Sequence, residues 1–242
     1  MATLLKWARR VVVPKGTSAV DVEVWNEGLL LGVGWRELRD GKAQGSAEGP
    51  DVAKRFLEEE HHRFYGRPWC TGRAYFDFLI AHGLLPRHRV LDFGCGAGRL
   101  GIWLIPYLDA GHYVGVDHHW EAVAAFARYE APLHGLAERR PRLVLDGSLD
   151  VTRLAQTFDV ILDCFVSFHL TWEDRMKLYR GFVKALQPNG RIFLPHAPTL
   201  ERDDLAKIGL SVIHDQVVQS QLLVGRLPDK KTKDHWHILG RL

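Results

Sequence analysis

In Val90-Leu91-Asp92-Phe93-Gly94-Cys95-Gly96-Ala97-Gly98-Arg99-Leu100 an apolar run passes straight into three spaced glycines and then into a helical pattern. Glycine tolerates the left-handed backbone that a sharp turn needs, and it lets the main chain approach a ligand closely. The free N–H groups of the helix that starts near Arg99 point into the same space. The pattern predicts a strand, a phosphate- or nucleotide-type turn and a helix. Glycine runs also make ordinary tight turns, so the rest of the chain has to decide between the two.

Two more apolar runs end in acids. Tyr113-Val114-Gly115-Val116-Asp117 ends in Asp117, and Leu143-Val144-Leu145 is followed by Asp146-Gly147. With Asp92 just ahead of the glycines, three strand ends carry a carboxylate. In an open parallel sheet neighbouring carboxyl ends line one crevice, so these acids face one ligand. Phe158-Asp159-Val160-Ile161-Leu162-Asp163-Cys164 is apolar enough for a strand buried on both faces. Helical patterns lie between the strands, which makes the whole an alternating α/β chain.

From Arg89 to Leu242 this arrangement resembles a class I S-adenosylmethionine-dependent methyltransferase of the small-molecule type. The resemblance implies a Rossmann-like, doubly wound sheet, mostly parallel with an antiparallel C-terminal hairpin strand and helices on both faces. It also implies S-adenosyl-L-methionine as cofactor. Asp117 is placed to accept from the ribose hydroxyls, with His118 beside it. Gly94, Gly96 and Gly98 are placed along the methionine and ribose portion. Asp92 would orient the loop or the cofactor's ammonium group, Asp146 and Gly147 would border adenine, and Cys164 would lie beside the sulfonium. Tyr65 and Arg73, from the segment that covers the cofactor in the family, are expected near the methionine carboxylate.

Composition sets outer bounds. The chain has 242 residues, 46% of them hydrophobic and 25% charged, which is ordinary for a globular protein and excludes fibrous and disordered classes. We divide it into an N-terminal hairpin and helical cap, 1–85, and a cofactor-binding domain, 86–242. The hairpin is read from the alternation of Val20, Val22 and Val24, a turn at 26–28 and Leu29 to Leu31. Helices are expected from Asp51 and from Thr71. Three cysteines without a CxxC pair argue against a disulfide framework or a structural zinc site and favour a reducing, cytoplasmic setting. No run approaches a membrane span.

Net charge is only +3, with 32 basic and 29 acidic residues mixed along the chain, so nucleic acid is not the expected partner. After the fourth core strand stands Asp163-Cys164-Phe165-Val166, not the acid-Pro-Pro-aromatic motif of nucleic-acid amino methylases. A small-molecule acceptor is expected, a hydroxyl of a sugar or natural product that would be O-methylated, and a homodimer is compatible with it. The alternatives are an NAD-dependent oxidoreductase, disfavoured because Arg99 displaces the glycine spacing, and a nucleic-acid or protein methyltransferase. A hydroxyl acceptor needs a base near neutral pH. His169 is the first candidate and His196 the second. Adjacent histidines such as His118-His119 diverge and make poor chelates, so no metal centre is expected.

Overall fold

The computed structural model describes residues 19–25, 71–196, 200–220 and 232–242. Among these residues eight strands form one sheet: β1 (Val22–Val24), β2 (Val90–Phe93), β3 (Tyr113–Asp117), β4 (Arg142–Leu145), β5 (Phe158–Asp163), β6 (Leu186–Pro195), β7 (Leu210–Ser220) and β8 (Thr232–Arg241). Their order across the sheet is β1-β4-β3-β2-β5-β6-β8-β7. The pairs from β1 through β6 are parallel, and β8 runs antiparallel to both β6 and β7. The chain moves outward from β2 to β3 and β4, then returns to the other side of β2 for β5. That reversal puts the topological switch point, where ligands of such sheets bind, directly above the β2 turn.

Alternation along the strands builds a core on each face. Val90 of β2 joins Tyr75, Phe78 and Leu79 of α1 (Arg73–Ala81), Leu104 and Ile105 of α2 (Gly101–Tyr107), and Val123 of α3 (Trp120–Ala125). Leu91 and Phe93 point the other way, onto Tyr179 and Phe182 of α4 (Trp172–Ala185) and Leu205 of α5 (Arg202–Lys207). The expected doubly wound architecture with its antiparallel C-terminal hairpin is what the structure has.

Three local details stand out. The alternating Val22–Val24 segment lies parallel to β4, with Val22 opposite Leu143 and Val24 opposite Leu145, at the edge of the main sheet. Residues 29–31, the helix expected from Asp51, and Tyr65 lie outside the described residues. Gly72 is already helical, with φ −60° and ψ −44°, so the helix of α1 is wound before the cap expected at Thr71 takes effect. Finally, the turn-type stretch Gln187-Pro188-Asn189-Gly190 lies inside β6. The register there jumps from Phe158 opposite Leu186 to Val160 opposite Arg191, and the bulge absorbs the surplus residues. Among the described residues, no helix is long and apolar enough to cross a membrane.

Candidate active site

The registers bring the strand ends to one level. Phe93 is opposite both Val116 and Asp163, and Asp117 is opposite Leu145. The residues that leave these strands therefore surround one cavity of about 690 Å³. Asp92, Gly94 and Gly96 line it from the β2 end, and Asp117 and His118 from the β3 end. Asp146 and Gly147 line it beyond β4, and Cys164 and His169 beyond β5.

The glycine turn divides its labour. Gly94, Gly96 and Gly98 have φ of +84°, +53° and +86°, the region only glycine enters freely. A Cβ at Gly94 would strike Val166, and one at Gly98 would lie 2.6 Å from the Phe126 ring. Gly98 does not line the cavity. Contrary to the expectation that it meets the cofactor, its lack of a side chain seats the turn on Phe126.

Each acid has its own surroundings. Asp117 accepts from Gly96 N–H through Oδ2 at 2.9 Å and from His119 N–H through Oδ1 at 2.8 Å. These two amides fix the carboxylate and tie the glycine turn to the end of β3, while each oxygen keeps a second acceptor direction. Asp92 is 1% exposed. The Tyr113 hydroxyl donates to its Oδ2 at 2.8 Å, while its Oδ1 is buried without a partner. Burial pushes its pKa up to about 7; the Tyr113 hydrogen bond opposes this, nearby Asp117 adds to it and Arg99 reduces it. Asp146 accepts from the Ser148 hydroxyl at 2.6 Å and pairs with Arg153 at 3.3 Å. That carboxylate stands braced within its own loop, where a free acceptor for an exocyclic amine was expected.

Beyond β5, Asp163 Oδ1 accepts from the amides of Val166 and Ser167 at 3.1 and 3.0 Å. The buried carboxylate thereby holds the turn that presents Phe165 to His169. Phe165 has a φ of +69°, and such an outlier persists only where its surroundings over-determine it. His169 is exposed on the cavity lining, with the Phe168 ring beside it at 5.3 Å. His196 does not line the cavity. It stacks on Phe165 at 4.8 Å and pairs through Nε2 with the buried carboxylate of Asp234. Arg73 is a correction: it pairs with Asp77 at 2.9 Å, packs over Trp103, and is not part of the lining.

Arg99 was missed as a site residue. It lines the cavity with its guanidinium 5.3 Å from the centre of the Phe165 ring. The signal in the sequence is a cation directly after the third glycine, where spacing alone registers only a departure from the dinucleotide pattern.

The donor set suits an adenosyl amino acid. A buried carboxylate oxygen without a partner offers a place for an ammonium group, Asp117 has acceptor capacity for hydroxyls, Arg99 supplies a cation, and the lining around Leu100, Val116, Leu149 and Val166 is apolar. Independent comparisons agree. Residues 91–192 match the family described as "Methyltransferase domain". A comparison with curated proteins finds no match. Among solved structures, the chain is similar to magnesium protoporphyrin IX methyltransferase from Synechocystis PCC 6803 with bound S-adenosylmethionine. The TM-score is 0.55 at 17% identity over 89% of this chain and 95% of that one. It is also similar to a glycopeptide N-methyltransferase complexed with S-adenosylmethionine, at TM-score 0.54, 15% identity, and 72% and 96% coverage. A third likeness is to an S-adenosylmethionine-dependent methyltransferase from Clostridium acetobutylicum, at TM-score 0.53, 13% identity, and 79% and 96% coverage. At these identities the structures speak for the fold alone, and the family match speaks for a methyltransferase domain over residues 91–192.

Proposed function

We propose that this protein transfers the methyl group of S-adenosylmethionine to a hydroxyl of a small-molecule acceptor. The observation that carries the reading is the exposed imidazole of His169 on the lining of the cavity that also holds Asp92 and Asp117. The cofactor supplies an electrophilic methyl on a sulfonium. The chain's residues bind, align and exclude water. Asp117 accepts from the ribose hydroxyls, and Asp92 receives the ammonium group on its partnerless Oδ1. Arg99 takes the part first given to Arg73 and faces the carboxylate. His169 removes the acceptor's proton as the oxygen attacks.

His196 supports a second reading. A buried carboxylate that orients an imidazole is the arrangement of an activated base, and Asp234 stands in that place. A ring shift of Phe165, against which His196 stacks, would be needed to open that base to the cavity.

The test is a screen of hydroxylated, amine and thiol acceptors with S-adenosylmethionine labelled in its methyl group. With a hydroxyl acceptor, His169→Ala lowers turnover by ~10²–10⁴ and leaves cofactor affinity intact. Loss confined to His196→Ala moves the role to the Asp234 pair. Transfer only to amines, with both variants active, refutes O-methylation.

A further inference from the structure

The C-terminal hairpin carries a cluster that the methyl-transfer site does not use. His235 and His237 stand two apart on β8, so both project from the face that also carries Leu239, toward α4 and α5. Asp215 on β7 is directly opposite His237 in the antiparallel register, with Val217 opposite His235. Asp215 Oδ1 lies 2.7 Å from His235 Nε2 and 3.5 Å from His237 Nε2. One donor atom from each of the three residues lies within 4.8 Å of the others. None of the three lines the cavity described above.

Hydrogen bonding does not account for this convergence. The carboxylate oxygen makes a good bond to His235, but 3.5 Å to His237 is too long for one. The buried His237 ring, whose Nδ1 also has no partner, is aimed at an oxygen already used. A cation at the focus would engage all three groups. Bonds of ~2.0–2.2 Å to imidazole nitrogen and carboxylate oxygen place tetrahedral ligands roughly 3.3 Å apart, which lies between the 2.7 and 3.5 Å that separate Asp215 Oδ1 from the two Nε2 atoms.

We propose that His235, His237 and Asp215 form a binding site for a divalent transition-metal ion of the zinc type. Two imidazoles and one carboxylate suit such an ion better than calcium or magnesium, which prefer oxygen ligands. Arg202 of α5 holds the other Asp215 oxygen, Oδ2, at 3.1 Å, which leaves Oδ1 turned toward the histidines. Hydrogen bonding of this kind is what fixes a ligating carboxylate. The ion clasps β7 to β8, and a fourth position stays open to solvent on the His235 side.

The signal escaped the sequence because the third ligand is across a hairpin. A His-x-His pair on a strand gives two ligands on one face, and twenty residues separate Asp215 from His235. The inference does not depend on the acceptor chosen above, or on methyl transfer at all.

Zinc chloride and cobalt chloride are the probes. The full chain, stripped with a chelator, is titrated by calorimetry, and cobalt is followed by its visible absorption. Wild type binds one ion per chain that His237→Ala and Asp215→Asn each lose, with a tetrahedral cobalt spectrum present only in wild type. His112→Ala, at a histidine outside both this cluster and the cavity, keeps that ion. His235→Ala alters an exposed ring and preserves the fold, and it weakens zinc binding at least tenfold. Zinc raises the melting temperature of wild type and not of Asp215→Asn. Equal stoichiometry and affinity in wild type and all three ligand variants would overturn the site, as would an octahedral cobalt spectrum unchanged by the substitutions.

Discussion

Asp92→Asn separates what the cofactor site needs from what the fold prefers. In the free protein the Asp92 carboxyl titrates at about 7, against 3.8 for an ordinary Asp, so the folded state favours the protonated form. A raised folded pKa gives stability that is complete below the unfolded pKa and is lost as pH rises to the folded one. Each unit of that interval removes ~1.4 kcal/mol, about 4 kcal/mol in all. Asparagine mimics the protonated acid and can still accept from the Tyr113 hydroxyl, so its stability lacks this slope. Urea denaturation of the cofactor-free protein at intervals from pH 4.5 to 8 is the assay. The stability of the variant relative to wild type rises with pH and levels off above about pH 7. Asn then binds S-adenosylmethionine more weakly by ~1.5–3 kcal/mol, because the ammonium group loses its charged partner. Parallel stability curves, with a gap that does not change with pH, would refute the buried ionisation on which this rests.

Gly98→Ala forces a residue with a side chain to φ +86° and drives its Cβ into the Phe126 ring, so chemical denaturation shows a loss of ~1–3 kcal/mol or more. An unchanged midpoint would mean that the turn does not need glycine there. Arg99→Met keeps the apolar stem over Phe165 and removes the cation. S-adenosylmethionine then binds ~10- to 100-fold more weakly by calorimetry, whereas Arg73→Ala, whose partner is Asp77, changes the affinity by less than twofold.

The parts legible in the sequence were those set by period and by chain order. Runs such as Val90–Phe93 and Phe158–Asp163 are apolar on both faces because helices cover both, and the acids at their ends coincide in space because the parallel registers are level. The alternation of Val22–Val24 identifies a strand but not its partner; the pairing with β4 is made by tertiary packing. The individual duties of the glycines were also hidden. Gly94, Gly96 and Gly98 look alike in sequence, and only the ring of Phe126, contributed by a helix beyond β3, gives Gly98 a structural task. Side-chain direction was the largest gap. Whether Arg73 or Arg99 enters the cavity depends on rotamers set by Asp77 and Phe165, and neither contact leaves a trace in local composition. The pairing of His196 with Asp234 spans strands β6 and β8 and is a product of the sheet order alone.

The most direct measurement is calorimetric titration of the full chain with S-adenosylmethionine and with NAD, repeated on Asp117→Ala. Asp117 stands where the glycine turn, the end of β3 and the cavity meet, and its carboxylate both fixes the Gly96 amide and lines the cavity. Wild type is predicted to bind S-adenosylmethionine at one site per chain and not NAD. The variant should keep the circular dichroism of the folded protein and lose ~1–3 kcal/mol of affinity, about fivefold to more than a hundredfold. Binding of NAD in place of S-adenosylmethionine, or an affinity for S-adenosylmethionine that a folded Asp117→Ala variant leaves unchanged, would contradict the assignment of this cavity.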